Sequence, residues 1–157
     1  MKIMIILTSL VVSFSTCLAS CGKDDDPIAT ETISNPSLNN TSNKMKLTIG
    51  DKVFNVTLSD NPTANAFKAL LPMTITMNEL NNNEKVYQLS TTLPTNSIPG
   101  GTIQAGDFML YGNNALVLFY ESFTTSYTYT RLGKVDDIRG YKAALGSGNV
   151  IVKFELQ

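Results

Sequence analysis

Short runs in which apolar and polar residues alternate recur from Met45 to the end of the chain, and they limit the possible folds more than any other feature. Clear examples are Met45–Ile49, Val53–Leu58, Met73–Met77 and Asn149–Leu156. A period of two places every second side chain on one face, which is typical of half-buried β-strands. About eight such runs predict a mainly β fold, an antiparallel sheet that closes into a barrel, because exposed strand edges promote association between chains.

Two short helices are expected between these strands. A polar residue followed by Pro62 predicts a helix start, because proline lacks the N–H that would be unpaired there, and this helix runs to about Leu70. Asp136 and Asp137 predict a cap for a second helix over Ile138–Leu145. Irregular loops are expected at 91–101, which is rich in Pro and Gly, and at 121–126.

Residues 1–20 predict a secretory signal peptide of the lipoprotein kind. A basic start at Lys2 precedes the apolar run Ile3–Ala19, which is short for a membrane-spanning helix of about 20 apolar residues. The ending Leu18–Cys21 (LASC) resembles the bacterial lipobox, and the resemblance implies cleavage before Cys21 and lipidation of that cysteine. Several acyl chains would attach the protein to a membrane, whereas the alternative is an uncleaved anchor helix.

A polar segment separates Cys21 from the predicted barrel. Gly22–Pro27 (GKDDDP) is similar to the acidic signal that directs some Gram-negative lipoproteins to the outer face of the outer membrane; the alternatives are a solvated charge run, which is the common case, and a weak calcium site. Ile28–Lys44 has no periodicity and little to bury, so it predicts a flexible tether. The sequence thus predicts a signal peptide (1–20), a lipidated cysteine with a tether (21–44) and one domain (45–157). We expect the mature protein in the cell envelope, anchored to the outer membrane.

Missing residue types exclude several classes of chemistry. The chain has no histidine, and its two cysteines, Cys17 and Cys21, both lie near the N-terminus. The domain therefore has no Ser-His or Cys-His nucleophile, no disulfide and no zinc site built from Cys and His. From Met45 onward nine basic residues balance nine acidic ones, without the basic patch that nucleic acids require. We expect no metal, no cofactor and no nucleic-acid partner.

One segment resembles a known family signature. Ile98–Phe108 (IPGGTIQAGDF) is similar to the Ile-Pro-Gly-x-x-x-Gln-Gly-Gly-Asp-Phe segment of cyclophilins. Asp60–Ala64 (DNPTA), Gly106–Tyr111 (GDFMLY) and Tyr127–Gly133 (YTYTRLG) resemble the bacterial cyclophilin-like domain family. The similarity covers essentially all of 45–157. It implies a closed cyclophilin-like eight-stranded antiparallel β-barrel with two short helices.

The resemblance does not extend to proline isomerisation. Cyclophilins lower the barrier to rotation of an X-Pro bond, about 18–20 kcal/mol, with an arginine three residues before the Pro-Gly, and that position is Asn96 here. Gly101 stands in place of the pocket phenylalanine, Tyr129 replaces the pocket histidine, and Thr124 falls near the place of the tryptophan. Only Gln104 is kept. These departures predict a protein without efficient isomerase activity.

If the groove face of such a barrel is retained, aromatic and polar side chains should line it. Tyrosines can stack on a sugar ring or a peptide side chain, and an arginine can pair with a carboxylate or phosphate. The same residues could equally be surface cross-strand partners or satisfy loop backbone. The candidate ligand-binding residues are Gln104, Tyr120, Phe123, Tyr127, Tyr129 and Arg131.

Three functions follow from these patterns. The preferred one is a lipid-anchored, extracytoplasmic cyclophilin-like binding module for a small molecule, a peptide or a glycan. The second is an enzyme, either a weak peptidyl-prolyl isomerase or a cofactor-assisted catalyst. The third is a structural or assembly partner at the envelope, where the barrel only presents a surface.

Overall fold

The computed structural model describes residues 42–157, which form nine strands and two short helices. The predicted signal peptide, Cys21 and most of the predicted tether lie outside the described residues. The strands are β1 (Lys44–Ile49), β2 (Lys52–Leu58), β3 (Met73–Leu80), β4 (Glu84–Gln88), β5 (Ile98–Ile103), β6 (Asp107–Tyr111), β7 (Ala115–Phe119), β8 (Phe123–Val135) and β9 (Val150–Leu156), and the helices are α1 (Pro62–Lys68) and α2 (Tyr141–Leu145).

Eight of the strands close into an antiparallel ring in the order β2-β1-β9-β3-β4-β7-β6-β8, and β8 returns to β2. The closing seam pairs Val56–Leu58 with Gly133–Val135. A Cβ atom on Gly133 would lie 2.6 Å from the Thr57 carbonyl oxygen, so a glycine lets β8 approach β2 closely enough to pair. The prediction of a mainly β, closed eight-stranded antiparallel barrel with two short helices is confirmed.

The interior of the ring holds the main hydrophobic core, to which α1 contributes. Asn61 caps this helix as the sequence predicted, because its side-chain oxygen accepts a hydrogen bond of 2.8 Å from the Ala64 N–H. The cap orients α1 so that Phe67 is fully buried, with its ring centroid 5.1 Å from that of Phe108 on β6 and 5.9 Å from that of Phe154 on β9. The helix ends at Lys68, two residues before the predicted end.

Strand β7 is buried on both of its faces, which reveals a second apolar layer outside the ring. Leu116 and Leu118 belong to the interior core. Val117 and Phe119 point the other way, into a smaller group that we call the outer cluster. Its buried members are Ile103, Met109, Val117, Phe119 and Tyr129, with Val86 and Phe123 packed against them.

The ninth strand, β5, brings Ile103 into the outer cluster, and it corrects two loop predictions. The loop predicted at 91–101 ends earlier, because β5 begins at Ile98, and β8 begins at Phe123 inside the loop predicted at 121–126. The two segments pair with each other, from Ile98 opposite Tyr129 to Ile103 opposite Phe123. The backbone N–H and C=O groups of these predicted loops therefore bond to a neighbouring strand, as backbone groups in folded proteins generally find a partner.

The second helix is also shorter than predicted. It begins at Tyr141 rather than Ile138, and its N-cap is Gly140, with a φ of 75° and no side-chain cap. Asp137 does not cap it, because its carboxylate binds the backbone N–H and the guanidinium of Arg139. Local pairing of Asp137 with Arg139 therefore competes with capping and delays the start of the helix.

Candidate functional site

A pocket of about 280 Å³ opens on the outer face of the ring, beside the outer cluster. The strand register aligns Gln88, Ala115, Tyr111 and Tyr129 in one row across β4, β7, β6 and β8. Opposed side chains in such a row are about 5 Å apart, so the single methyl group of Ala115 leaves a depression between Gln88 and Tyr111. We call this the tyrosine pocket; its walls are Leu80, Asn81, Glu84, Val86, Gln88, Tyr111, Ala115, Val117, Tyr127 and Tyr129.

Three tyrosine rings form one side of the pocket and meet at steep angles. The centroids of Tyr111 and Tyr127 are 6.0 Å apart with an angle of 83° between the ring planes, and those of Tyr111 and Tyr129 are 5.6 Å apart at 50°. Tyr129 is 6% exposed, whereas Tyr111 and Tyr127 are 46% and 62% exposed. The rings thus build an angled aromatic wall with a buried base and an open rim.

Glu84 is the charged residue of this pocket, and its side chain is buried. It is only 7% exposed, and within residues 42–157 its carboxyl group forms no hydrogen bond and no ion pair. Burial, together with the nearby charge of Glu79, raises the pKa of Glu84 to about 7. The pocket therefore contains a carboxyl group that exchanges between its acid and carboxylate forms near neutral pH.

Tyr129 lies next to this carboxyl group. Burial, then the charge of Glu84, raises the pKa of the Tyr129 hydroxyl to about 12, with smaller effects from Tyr111 and Tyr127. The hydroxyl therefore remains protonated across the physiological range and can donate a hydrogen bond. The same pocket thus contains a titrating carboxyl group and a neutral phenol.

The neighbouring Lys85 points to the opposite face of β4 and does not neutralise Glu84. Its ammonium group is fully buried, contacts the Glu79 carboxylate, and donates to the carbonyl oxygens of Gly146 at 2.8 Å and Gly148 at 2.6 Å. Glu79 also accepts a hydrogen bond of 2.7 Å from the Tyr120 hydroxyl. Because Glu79 and Lys85 neutralise each other behind the strand, the pocket side retains the charge of Glu84.

The residues predicted to bind a ligand occupy different places. Tyr127 and Tyr129 meet in the tyrosine pocket. Phe123 packs in the outer cluster, with its ring centroid 5.6 Å from that of Phe119. Tyr120 is only 6% exposed and lies beside a separate, shallower depression of about 690 Å³ that also involves Lys142. The structure therefore brings two of the six predicted residues into this pocket.

Gln104 and Arg131 meet instead at Asp107, which is 1% exposed. Its carboxylate accepts hydrogen bonds from the Gln104 backbone N–H at 3.0 Å and from the Arg131 guanidinium at 3.1 Å. Arg131 thus has an internal carboxylate partner, and neither Gln104 nor Arg131 belongs to the walls of the tyrosine pocket. The two hydrogen bonds to Asp107 hold the turn between β5 and β6 in place.

Comparison with known proteins agrees with the topology. A family model described as the Cyclophilin-like family matches residues 47–155, which is more than half of the chain. The chain belongs to the Cyclophilin-like family. No curated protein and no solved structure matches it. The resemblance to cyclophilin-like proteins predicted from the sequence is thereby confirmed for the barrel.

In this Cyclophilin-like barrel, the position predicted for a catalytic arginine lies on the loop before β5. Asn96 is exposed, and its backbone N–H donates to the Thr130 hydroxyl at 3.1 Å. Within 42–157, no group of three or more His, Cys, Asp or Glu residues is placed to hold a metal ion. None of the helices in that part of the chain is long and apolar enough to cross a membrane.

Sequence reasoning missed Glu84, Tyr111 and Gln88. The sequence predicts a loop at Asn81–Glu84 (NNNE) and a strand at Lys85–Leu89, whereas β4 begins at Glu84. With that boundary, Glu84, Val86 and Gln88 alternate onto the outer face. The signal available in the sequence was Glu84 two residues before Val86, a spacing that places an acidic and an apolar side chain on the same face of a strand.

Proposed function

We propose that this protein is a lipid-anchored binding module of the cell envelope that holds a small ligand in the tyrosine pocket and lacks efficient prolyl isomerase activity. The observation that carries the proposal is Glu84, a buried carboxyl group without a partner among residues 42–157, in a pocket walled by three tyrosines. Glu84 lines the pocket, so a donor group on a ligand bound there can pair directly with its carboxyl group.

The size and composition of the pocket support a small ligand. Its volume of about 280 Å³ lies just below the roughly 300–1,000 Å³ found for sites of drug-sized ligands, which favours a smaller molecule. Apolar walls from Val86 and Val117 combine with a few polar groups, which is the usual composition of such sites. The main core packs separately inside the ring, so the barrel's stability does not require this depression to be filled.

Binding can be tested by ligand-dependent melting of the full-length protein. We expect a subset of a panel of small polar and aromatic compounds to raise the Tm of the wild type and to lose that effect in Tyr127→Ala, because Tyr127 forms the exposed rim. The matched control is Ile151→Ala, which trims a side chain of similar exposure (63%) on β9, outside the pocket. Equal shifts in Tyr127→Ala and the wild type, or no shift with any compound, would contradict a binding function at this site.

The same preparation should not accelerate proline isomerisation. With Asn96 in place of the arginine that weakens amide resonance, we expect an X-Pro test peptide to isomerise at its uncatalysed rate, on a scale of tens to hundreds of seconds at 25 °C. A protease-coupled peptide assay measures this. Turnover well above background that disappears in Gln104→Ala would instead support an isomerase.

The anchor part of the proposal rests on Cys21 and the small residues before it. Acyl chains at about 0.8 kcal/mol per buried CH₂ would hold the barrel at a membrane surface. Labelling of cells with a clickable fatty acid should mark the wild type but not Cys21→Ser. Equal labelling of the two proteins would remove the anchor from the proposal.

A further inference from the structure

We propose that the tyrosine pocket selects a small organic ammonium ion, which the Glu84 carboxylate and the surrounding tyrosine rings hold together. This inference rests on the proposed binding function and specifies the chemical class of its ligand. It depends on three properties of the pocket: the geometry of the rings, the sign of the local charge, and the apolar walls around the carboxyl group.

The ring geometry suits a cation. An ammonium ion is attracted to the face of a tyrosine ring when it lies within about 6 Å of the ring centroid. Tyr111 and Tyr127 stand at 83° and Tyr111 and Tyr129 at 50°, so the rings form angled walls rather than a parallel stack. Centroid separations of 5.6–6.0 Å allow one compact ion in the corner to contact more than one ring.

The charges around the pocket favour a cation over an anion. The ten wall residues include one carboxyl group, Glu84, and no lysine or arginine. The groups whose charges or hydroxyls act on Glu84 from neighbouring elements are Glu79 on β3, Tyr120 after β7 and Tyr129 on β8. Glu79 lies behind β4 in its ion pair with Lys85, and the two tyrosines are uncharged at neutral pH, so the negative charge of Glu84 is not compensated on the pocket side and would repel an anionic ligand.

The walls near Glu84 match the apolar part of an organic cation. Leu80, Val86 and Val117 present aliphatic surface beside the carboxyl group. Methyl or methylene groups on the ligand nitrogen can pack there, whereas a strongly hydrated divalent metal ion would meet a single carboxylate beside aliphatic surface. The site therefore favours an alkylated ammonium over an inorganic cation.

Calorimetric titration of the full-length protein tests this with a matched pair of ligands, choline and its neutral carbon isostere 3,3-dimethylbutan-1-ol. The two have nearly the same shape and differ in one charge. We expect choline to bind at least about tenfold more tightly than the isostere at pH 8.5, because only choline pairs with a buried carboxylate. Equal affinities, or no choline binding at millimolar concentration, would overturn the ammonium assignment.

The pH dependence provides a second readout. If binding requires ionised Glu84, with a pKa of about 7, choline affinity should fall about 30-fold between pH 8.5 and pH 5.5, in proportion to the ionised fraction. Binding of the neutral isostere should not fall in this way. A choline affinity independent of pH over this range would exclude Glu84 as the anion.

Two variants with the same chemical change separate Glu84 from general charge effects. Glu84→Gln should weaken choline binding at least about tenfold at pH 8.5 and remove its pH dependence. Glu155→Gln, on β9 and outside the pocket, should leave both unchanged. If the isostere and other neutral compounds bind in a Tyr127-dependent way while choline does not, the binding function stands and only the ammonium assignment fails. If no compound of the panel binds, both fail.

Discussion

Replacing Glu79 by alanine should lower the free energy of unfolding by about 3–5 kcal/mol, since it leaves a buried charge without its counterion. Lys85 has no exposed surface, and Glu79 is its only carboxylate partner among residues 42–157. The carbonyl oxygens of Gly146 and Gly148 remain but carry no full charge. Tyr120 also loses the acceptor of its hydroxyl group.

Urea unfolding of the full-length protein measures this effect. The matched control is Glu155→Ala, because Glu155 forms an ion pair with Lys153 on the barrel surface, and such pairs contribute little. A double variant, Glu79→Leu with Lys85→Met, should recover much of the loss, because buried ion pairs are commonly replaced by apolar residues at small cost. A Glu79→Ala variant as stable as Glu155→Ala would show that water reaches Lys85.

The second large effect is a gain in stability. Glu84→Gln should raise the free energy of unfolding by about 1–2 kcal/mol at pH 8, because the pKa of Glu84 is about 7 in the folded protein against 4.5 for an ordinary glutamate and solvent in the pocket screens part of this effect. Each pKa unit corresponds to about 1.4 kcal/mol. Between pH 4.5 and 7 the folded state binds more protons than the unfolded state, so wild-type stability falls as pH rises through that window.

Comparison of the two proteins at two pH values isolates this effect from other titrating groups. At pH 4 the wild-type side chain is mostly neutral in both states, so Glu84→Gln and wild type should unfold at nearly the same urea concentration. Above pH 7 the variant should become clearly more stable, and the difference should level off. A difference that is the same at pH 4 and pH 8 would show that Glu84 is not buried as a carboxylate.

The barrel was predictable from the sequence because its signals are local. Alternation in Met45–Ile49 and Asn149–Leu156 predicts strands that form within one residue of those bounds, and Asn61 caps α1 where Pro62 indicates. The first four residues of β5, Ile98–Gly101, were missed for the opposite reason, although the strand predicted at Thr102–Gln104 overlaps the end of β5. Pro99 and two glycines have low strand propensity, and only the partner strand β8 stabilises the extended backbone there.

The site was less predictable because it depends on register between distant strands. Alternation along Tyr127–Val135 predicts that Tyr127, Tyr129 and Arg131 share a face, and of these three the two tyrosines lie in the tyrosine pocket. Tyr111 joins them only because β6 pairs with β8 so that Tyr111 lies opposite Tyr129, after an irregularity in the pairing between Phe108 and Met109. A one-residue difference in where β4 starts hid Glu84, and no local pattern indicates that Asp107 holds Arg131.

The position of β9 between β1 and β3 determines when this barrel can form. The last strand in sequence fills a gap in the ring, with Met45 opposite Leu156 and Met73 opposite Phe154. Until β9 is available, β1 and β3 lack their shared neighbour and the ring stays open. Contacts between residues so far apart in sequence form slowly, typically in milliseconds to seconds for β-rich domains. A chain made or delivered from its N-terminus would therefore stay unfolded until its C-terminal strand arrives, and it would acquire the tyrosine pocket only at the end of folding.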